Sequence, residues 1–168
     1  MTGLAPFLAR WRVPLGFVTA AVTLALASPT WRSLELGFAV AAFGEGIRVW
    51  AAGHLEKSRE VTSSGPYRWT RHPLYLGSSL MGAGLGVAAN HWAVGLLIAA
   101  YLGATLWLAI RTEEAYLRAT FGDAYDRYAD GGLPAVRHFS LARAIRNKEY
   151  RAPIGLLLVS LLLLWKSW

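Results

Sequence analysis

Five apolar runs, at residues 13–27, 34–55, 74–90, 92–110 and 154–165, divide this chain, and charged or aromatic connectors separate them. A helix rises about 1.5 Å per residue, so most of these runs approach the length a hydrocarbon layer of about 30 Å accepts. The last run is short for a full crossing, although Pro153 and the closing Lys166-Ser167-Trp168 can extend it. Composition points the same way: 55% of the 168 residues are hydrophobic and 16% charged, too apolar for an ordinary soluble domain. The expected fold class is all-α: a polytopic helical membrane protein with about five apolar segments and one domain over residues 1–168.

Charge placement narrows the class further. Seventeen Lys and Arg against ten Asp and Glu give +7, a balance that nucleic-acid binders also show. Here the cations cluster beside the apolar runs, not along one polar face, so membrane lipids are the expected partners and no nucleic acid is. The absence of cysteine excludes a disulfide framework, a thiol nucleophile and a thiolate metal site. His54, His72, His91 and His138 lie far apart without ligand spacing, and no metal is expected.

In chain order, Arg10 and Arg12 precede the first run, which allows two readings. It is a secretory signal ending at Ala25-Leu26-Ala27, or a short first span closed by Ser28-Pro29. In the second run Glu45 and Arg48, three apart on one helix face, are expected to pair, as a bundle salt bridge or as a substrate contact. The third run carries a Gly82/Gly86 pair, which reads as a close helix approach or as room for a ligand. Asn90-His91 is a tight turn, making the third and fourth runs an antiparallel hairpin. Helical pattern continues past Ile110, with Glu113 aligned on the apolar face with Leu117 and Phe121, and Glu114 paired with Arg118 on the exposed face. Gly122-Asp123 breaks and recaps that helix. Residues 137–151, rich in Arg, read as a basic interfacial helix on an anionic leaflet.

Between the second and third runs lies Gly65-Pro66-Tyr67-Arg68-Trp69-Thr70-Arg71-His72-Pro73-Leu74-Tyr75-Leu76-Gly77. Each proline fixes its own φ and keeps the preceding residue out of the helical region, and Pro73 suits the first turn of a helix. Residues 67–72 are therefore a rigid connector that aims His72 at a helix N-terminus, where anionic groups are favoured. Lys and Arg abound near Arg10, over 48–71 and over 111–151, whereas the turns at 28–34 and 90–91 hold only Arg32. The positive-inside rule then puts the N-terminus in the cytoplasm and brings the polar patches around His72 and Glu113 to the same side. The Ala/Leu/Arg-rich chain is of bacterial type, which makes the inner membrane the expected location.

The set Gly65-Pro66-Tyr67, Arg71-His72-Pro73-Leu74-Tyr75-Leu76-Gly77, Glu113-Glu114, Leu117, Phe121-Gly122, Tyr125 and Tyr128 resembles the isoprenylcysteine carboxyl methyltransferase family. The phospholipid N-methyltransferases share its Pro-x-Tyr-x-Gly and Glu-Glu elements. The resemblance covers about residues 45–135. It implies a multi-span membrane enzyme that binds S-adenosylmethionine near the cytoplasmic face and methylates a lipophilic acceptor arriving from the bilayer. By the same resemblance His72, Pro73, Leu74 and Tyr75 contact the cofactor, and Tyr67 with the backbone of Arg59, Glu60, Val61 and Thr62 forms further walls. Glu113 takes the cofactor's amino group. The apolar segment after Arg151 and the short N-terminal half depart from the family pattern.

The residues suit that chemistry. The cofactor presents a sulfonium, an ammonium, a carboxylate and an adenine. Glu113 supplies an acid; Arg71, His72 and the Pro73 helix start supply positive partners; Tyr67, Trp69 and Tyr75 supply flat faces. If the acceptor is a carboxylate, no general base is needed, and Arg111 or Arg48 can hold it. An amine acceptor requires a base, with Glu113, Glu114 or His72 as candidates. The expected catalytic set is Arg111, Glu113 and His72, with isoprenylcysteine-type O-methylation favoured by the resemblance over phospholipid-type N-methylation. Two other readings remain at this stage: an NADPH-dependent sterol-type membrane reductase with a similar His-Pro-x-Tyr-x-Gly turn, and a non-catalytic scaffold assembled on its glycine stripe.

Overall fold

A computed structural model describes residues 4–57, 59–131 and 137–168, and among these the regular structure is helical throughout. The elements are α1 (Leu4–Leu26), α2 (Trp31–His54), a 3₁₀ turn (Gly65–Arg68), α3 (Pro73–Ala89), α4 (Trp92–Phe121), α5 (Asp123–Ala129), α6 (Leu141–Arg146) and α7 (Arg151–Lys166).

Local chemistry sets the helix ends. Thr30 and Ser33 open α2 with a reciprocal capping box, each backbone N–H donating to the other's hydroxyl at 2.9 and 3.2 Å. Pro73 begins α3 at a position where its missing N–H leaves no bond unmade. Asn90 closes α3 in the left-handed region, at φ 50°, and its amide donates to the Ser28 carbonyl at 3.0 Å. Ser28 N–H donates to Ala89 O at 2.9 Å, and the Ser33 hydroxyl to Ala88 O at 3.2 Å. These bonds fuse the α1–α2 and α3–α4 turns into one end of the bundle. Lys166 reaches the same end, donating to Leu24 O and Ala25 O at 2.6 and 2.7 Å. The charged connectors gather at the other.

Small residues hold the centre. A Cβ at Gly37 would stand 2.5 Å from Gly84 O, and one at Gly44 would stand 2.7 Å from Gly77 O, so α2 and α3 touch backbone to backbone. The close approach therefore uses Gly77 and Gly84, one turn-pair apart. Gly82 and Gly86 face α4 instead, where the Leu102 side chain packs over Gly82. Buried positions are mostly small (Ala41, Ala51, Ala52, Ala88, Ala89), while Phe17, Leu36, Phe43, Leu96, Trp107 and Leu157 point outward. Large apolar groups outside and small ones inside suit a lipid surround and not water.

Among the described residues α4 is the one helix long and apolar enough to cross a membrane; Val13–Leu26 and Pro73–Ala89 are apolar but shorter. Helix α1 packs along α4 within the bundle. The basic segment is not one interfacial helix: α6 covers only Leu141–Arg146, and Arg137, Arg143 and Arg146 pair with Glu56 and Glu60, as described below.

Candidate functional site

The site is built where α2 ends and α3 begins. Gly65, at φ +60°, lies against the buried His54 ring, which is 3.0 Å from Trp50 O through Nδ1. A Cβ there would meet that ring at 2.5 Å, so only glycine fits. Trp69 packs edge-on to Trp50 at 5.3 Å, pinning the 3₁₀ turn to α2. On the far side of the turn, the Tyr128 hydroxyl from α5 donates to Tyr67 O at 2.9 Å. The connector before it folds on itself, Glu56 N–H donating to the Thr62 hydroxyl at 3.3 Å. Together these contacts enclose a cavity of about 430 Å³, inside the range of roughly 300–1,000 Å³ typical of small-molecule sites.

Glu60, Val61, Thr62, Tyr67, Arg71, Leu74, Tyr75 and Glu113 all line this cavity. The expected patches around residues 72 and 113 thus meet at one end of the bundle. His72 itself stands beside the cavity: it is stacked on Tyr75 at 5.7 Å, with Nε2 3.0 Å from Glu114 Oε1. Pro73 is buried under the α3 start, and Arg59 is exposed; neither lines the hollow. Arg111 is not brought there either. Its guanidinium lies over the Trp107 ring, 5.5 Å from the centroid. The expected Glu114–Arg118 pair is replaced: Arg118 reaches Asp126 at 3.6 Å, and Glu114 takes His72 and, at 3.8 Å, Arg71. Glu45 and Arg48 do approach, at 3.8 Å, but Arg48 is engaged more closely by Glu149 at 2.8 Å, by Leu74 O at 3.3 Å and by the Ser78 hydroxyl.

Electrostatics separate the two neighbouring acids. The hydrogen bond to His72, with Arg71 and Arg118 beyond it, holds the Glu114 carboxyl below its ordinary range. Glu113 has no hydrogen bond or ion pair among the described residues, although it lines the cavity. Burial, reinforced by the charges of Glu113 and Glu149, raises the Tyr67 phenol, and burial pushes Tyr128 up to about 12. Both hydroxyls stay protonated at neutral pH, and that of Tyr128 donates to Tyr67 O.

The sequence reasoning missed the C-terminal wall. Asn147 and Glu149 line the cavity, beside Tyr116 and Leu117 from α4. Arg143 donates to Glu56 at 2.8 Å and to Gly53 O at 2.6 Å, Arg146 reaches the same Glu56 oxygen at 3.2 Å, and Arg137 grips Glu60 through two bonds of 2.6 and 2.7 Å. This clamp holds the 55–62 connector, and it lowers the Glu56 carboxyl, chiefly through the Arg143 bond. No periodicity marks such pairings, which join residues 77–90 positions apart.

A second hollow, of about 1150 Å³, runs between α3 and α4 from Thr70, His72 and Tyr75 to Asn90 and Trp92. Its floor is Gly82, Ala83, Gly86, Gly95 and Gly103. Tyr75 lines both hollows.

An all-helical bundle with outward apolar side chains, an acid-bearing polar cavity at one end and an apolar groove beside it defines the class: a membrane-type bundle with a cavity at its head. The chain belongs to the phospholipid methyltransferase family, whose profile matches residues 34–124. It is 31% identical over 88 residues to a protein-S-isoprenylcysteine O-methyltransferase of Schizosaccharomyces pombe, covering 51% of this chain and 37% of that one. It is also 32% identical over 118 residues to the cobalt-zinc-cadmium resistance protein CzcN of Cupriavidus metallidurans, covering 66% of this chain and 55% of the relative. The nickel-cobalt-cadmium resistance protein NccN of Alcaligenes xylosoxydans xylosoxydans is 30% identical over 129 residues, 71% of this chain and 59% of the relative. The chain thus spans between 37% and 59% of the length of these relatives. No solved structure matches it significantly. Among the described residues no group of three or more His, Asp or Glu is placed to hold a metal ion.

Proposed function

We propose that this protein transfers a methyl group from S-adenosylmethionine to a lipophilic acceptor, as an integral membrane enzyme whose N-terminus and polar cavity face the cytoplasm. The observation that carries the reading is the unpaired Glu113 carboxylate in a cavity walled by Tyr67, Tyr75, Tyr116 and Leu117. An unpartnered acid among aromatic faces suits a flat, cationic ligand. The cofactor, when bound, supplies an electrophilic methyl on sulfur. Glu113 receives its ammonium, Arg71 and the protonated Tyr67 meet its carboxylate, and the tyrosine rings flank the purine.

The acceptor's place is the α3–α4 groove. Its walls are apolar, it runs along the part of the bundle that faces lipid, and it ends at the His72–Tyr75 stack, one ring from the cavity. A carboxylate acceptor would be ionised already, so no residue of this chain would have to take a proton from it. O-methylation of this kind, as the name of the S. pombe relative describes, is the leading reading. The His72–Glu114 pair supports N-methylation as the second. A carboxylate only accepts, so Nε2 donates to Glu114, and Nδ1 has no hydrogen-bond partner among the described residues.

Calorimetric titration of the purified protein with S-adenosylhomocysteine tests the cofactor assignment. Saturable heat is expected, lost in Glu113→Ala. Heat with NADPH and none with S-adenosylhomocysteine overturns it in favour of a reductase, and none with either favours a scaffold.

A further inference from the structure

The clamp of arginines fixes one amide with unusual definition. Asn147 follows α6 directly, in the segment that lies beyond the family match at residues 34–124. Its Nδ2 donates to Ala52 O and to Leu55 O, both at 2.9 Å. An amide nitrogen has two hydrogens, and both are spent, one on a carbonyl of the last turn of α2 and one on that of its C-cap Leu55. The orientation of the amide is therefore settled by its partners, since a flipped group would set oxygen against two oxygens. What remains for the cavity that Asn147 lines is Oδ1, a pure acceptor to which no described group donates.

The support behind it is rigid. Arg143 and Arg146 tie Glu56 to α6, Ser140 N–H donates to Gly53 O at 3.1 Å, and the Phe139 ring sits against Gly53 with no room for a Cβ. A neutral acceptor held this firmly selects a neutral donor, while the stronger charged partner, Glu113, is the better match for an ammonium. On the cofactor assignment proposed above, on which this inference rests, we propose that Asn147 Oδ1 accepts from the exocyclic amino group of adenine, making the C-terminal segment the purine-selecting wall of the site.

The test compares S-adenosylhomocysteine with S-inosylhomocysteine, whose purine carries a carbonyl in place of that amino group, by calorimetry on the full-length protein. Wild type is expected to prefer the adenine ligand by about tenfold or more, because the oxo analogue sets two acceptors face to face. Asn147→Ala is expected to bring the two affinities within about twofold, whatever it does to either alone. A wild-type protein that binds both ligands equally, or an Asn147→Ala protein that keeps the full preference, overturns the proposal. Should that variant not fold, photolabelling of wild type with 2-azido-S-adenosylhomocysteine, whose azide sits on the same six-membered ring as the amino group, decides. Label on the peptide of residues 137–151 supports the assignment, and label confined to other peptides overturns it. Failure of wild type to bind either ligand strikes the cofactor reading itself, a distinct outcome.

Discussion

The two adjacent acids on α4 do different work. Glu113 faces the cavity with no partner among the described residues, and a hydrogen bond to a charged group is worth about 1.5–3 kcal/mol, so Glu113→Gln should weaken S-adenosylhomocysteine binding by about tenfold or more. Glu114 holds His72 at the end of the α3–α4 groove. Glu114→Gln should leave S-adenosylhomocysteine affinity within about twofold and lower methyl transfer, seen as reduced turnover with the acceptor. Its carboxyl is depressed in the folded protein, so the stabilisation it gives is present above its unfolded value of 4.5 and is lost as pH falls further. Melting temperature should drop below that pH in wild type, and less steeply in Glu114→Gln. Glu113 was legible in the sequence because it aligns with Leu117 at helical spacing, and both line the cavity. The same arithmetic separates Arg111 from the site: two residues from Glu113, it points to the other side of α4, where it covers Trp107. The partner of Glu114 was not legible, because the choice between Arg118, one turn away, and His72, 42 positions back, depends on how α3 and α4 pack.

At the scale of elements, the α2–α3 contact is the joint that sets the cavity's shape, since both motif-bearing connectors leave from it. A methyl group at Gly84 would stand 2.5 Å from the Ala41 nitrogen and from Gly37 O, atoms of backbone that cannot step aside. Gly84→Ala should therefore cost about 1–3 kcal/mol through overpacking, read as a lower melting temperature in detergent. Gly46, on the partner helix α2 with nothing within 4 Å of a Cβ, is the control: Gly46→Ala should be neutral or stabilise by up to about 1 kcal/mol. The all-helical class, the hairpin at Asn90-His91 and the break at Gly122 follow from apolar runs and from residues with known turn chemistry, and these were readable. Which glycines touch was not: four of them crowd residues 77–86 with small neighbours, and one sequence does not say which edge meets α2 and which meets α4.

Across the whole molecule, the charged connectors sit at one end and the tight turns at the other, and the positive-inside rule gives that polarity a direction. The chain has no cysteine, so single replacements report it cleanly. In cells, Ser28→Cys at the turn end should react with a membrane-impermeant maleimide added outside, and Lys57→Cys should react only after lysis; the reverse pattern would turn the protein over. The long-range clamp on Glu56 and Glu60 shows where reading from sequence stops, because basic residues beside apolar runs look alike whether they meet lipid phosphates or a wall of their own protein. Tyr75 borders the polar cavity on one side and the apolar groove on the other. On the proposed assignment, spent nucleotide and modified lipid leave by different doors, one into the aqueous phase and one sideways into the leaflet. A compound spanning that single ring, with a purine at one tip and an alkyl tail at the other, would occupy both rooms at once.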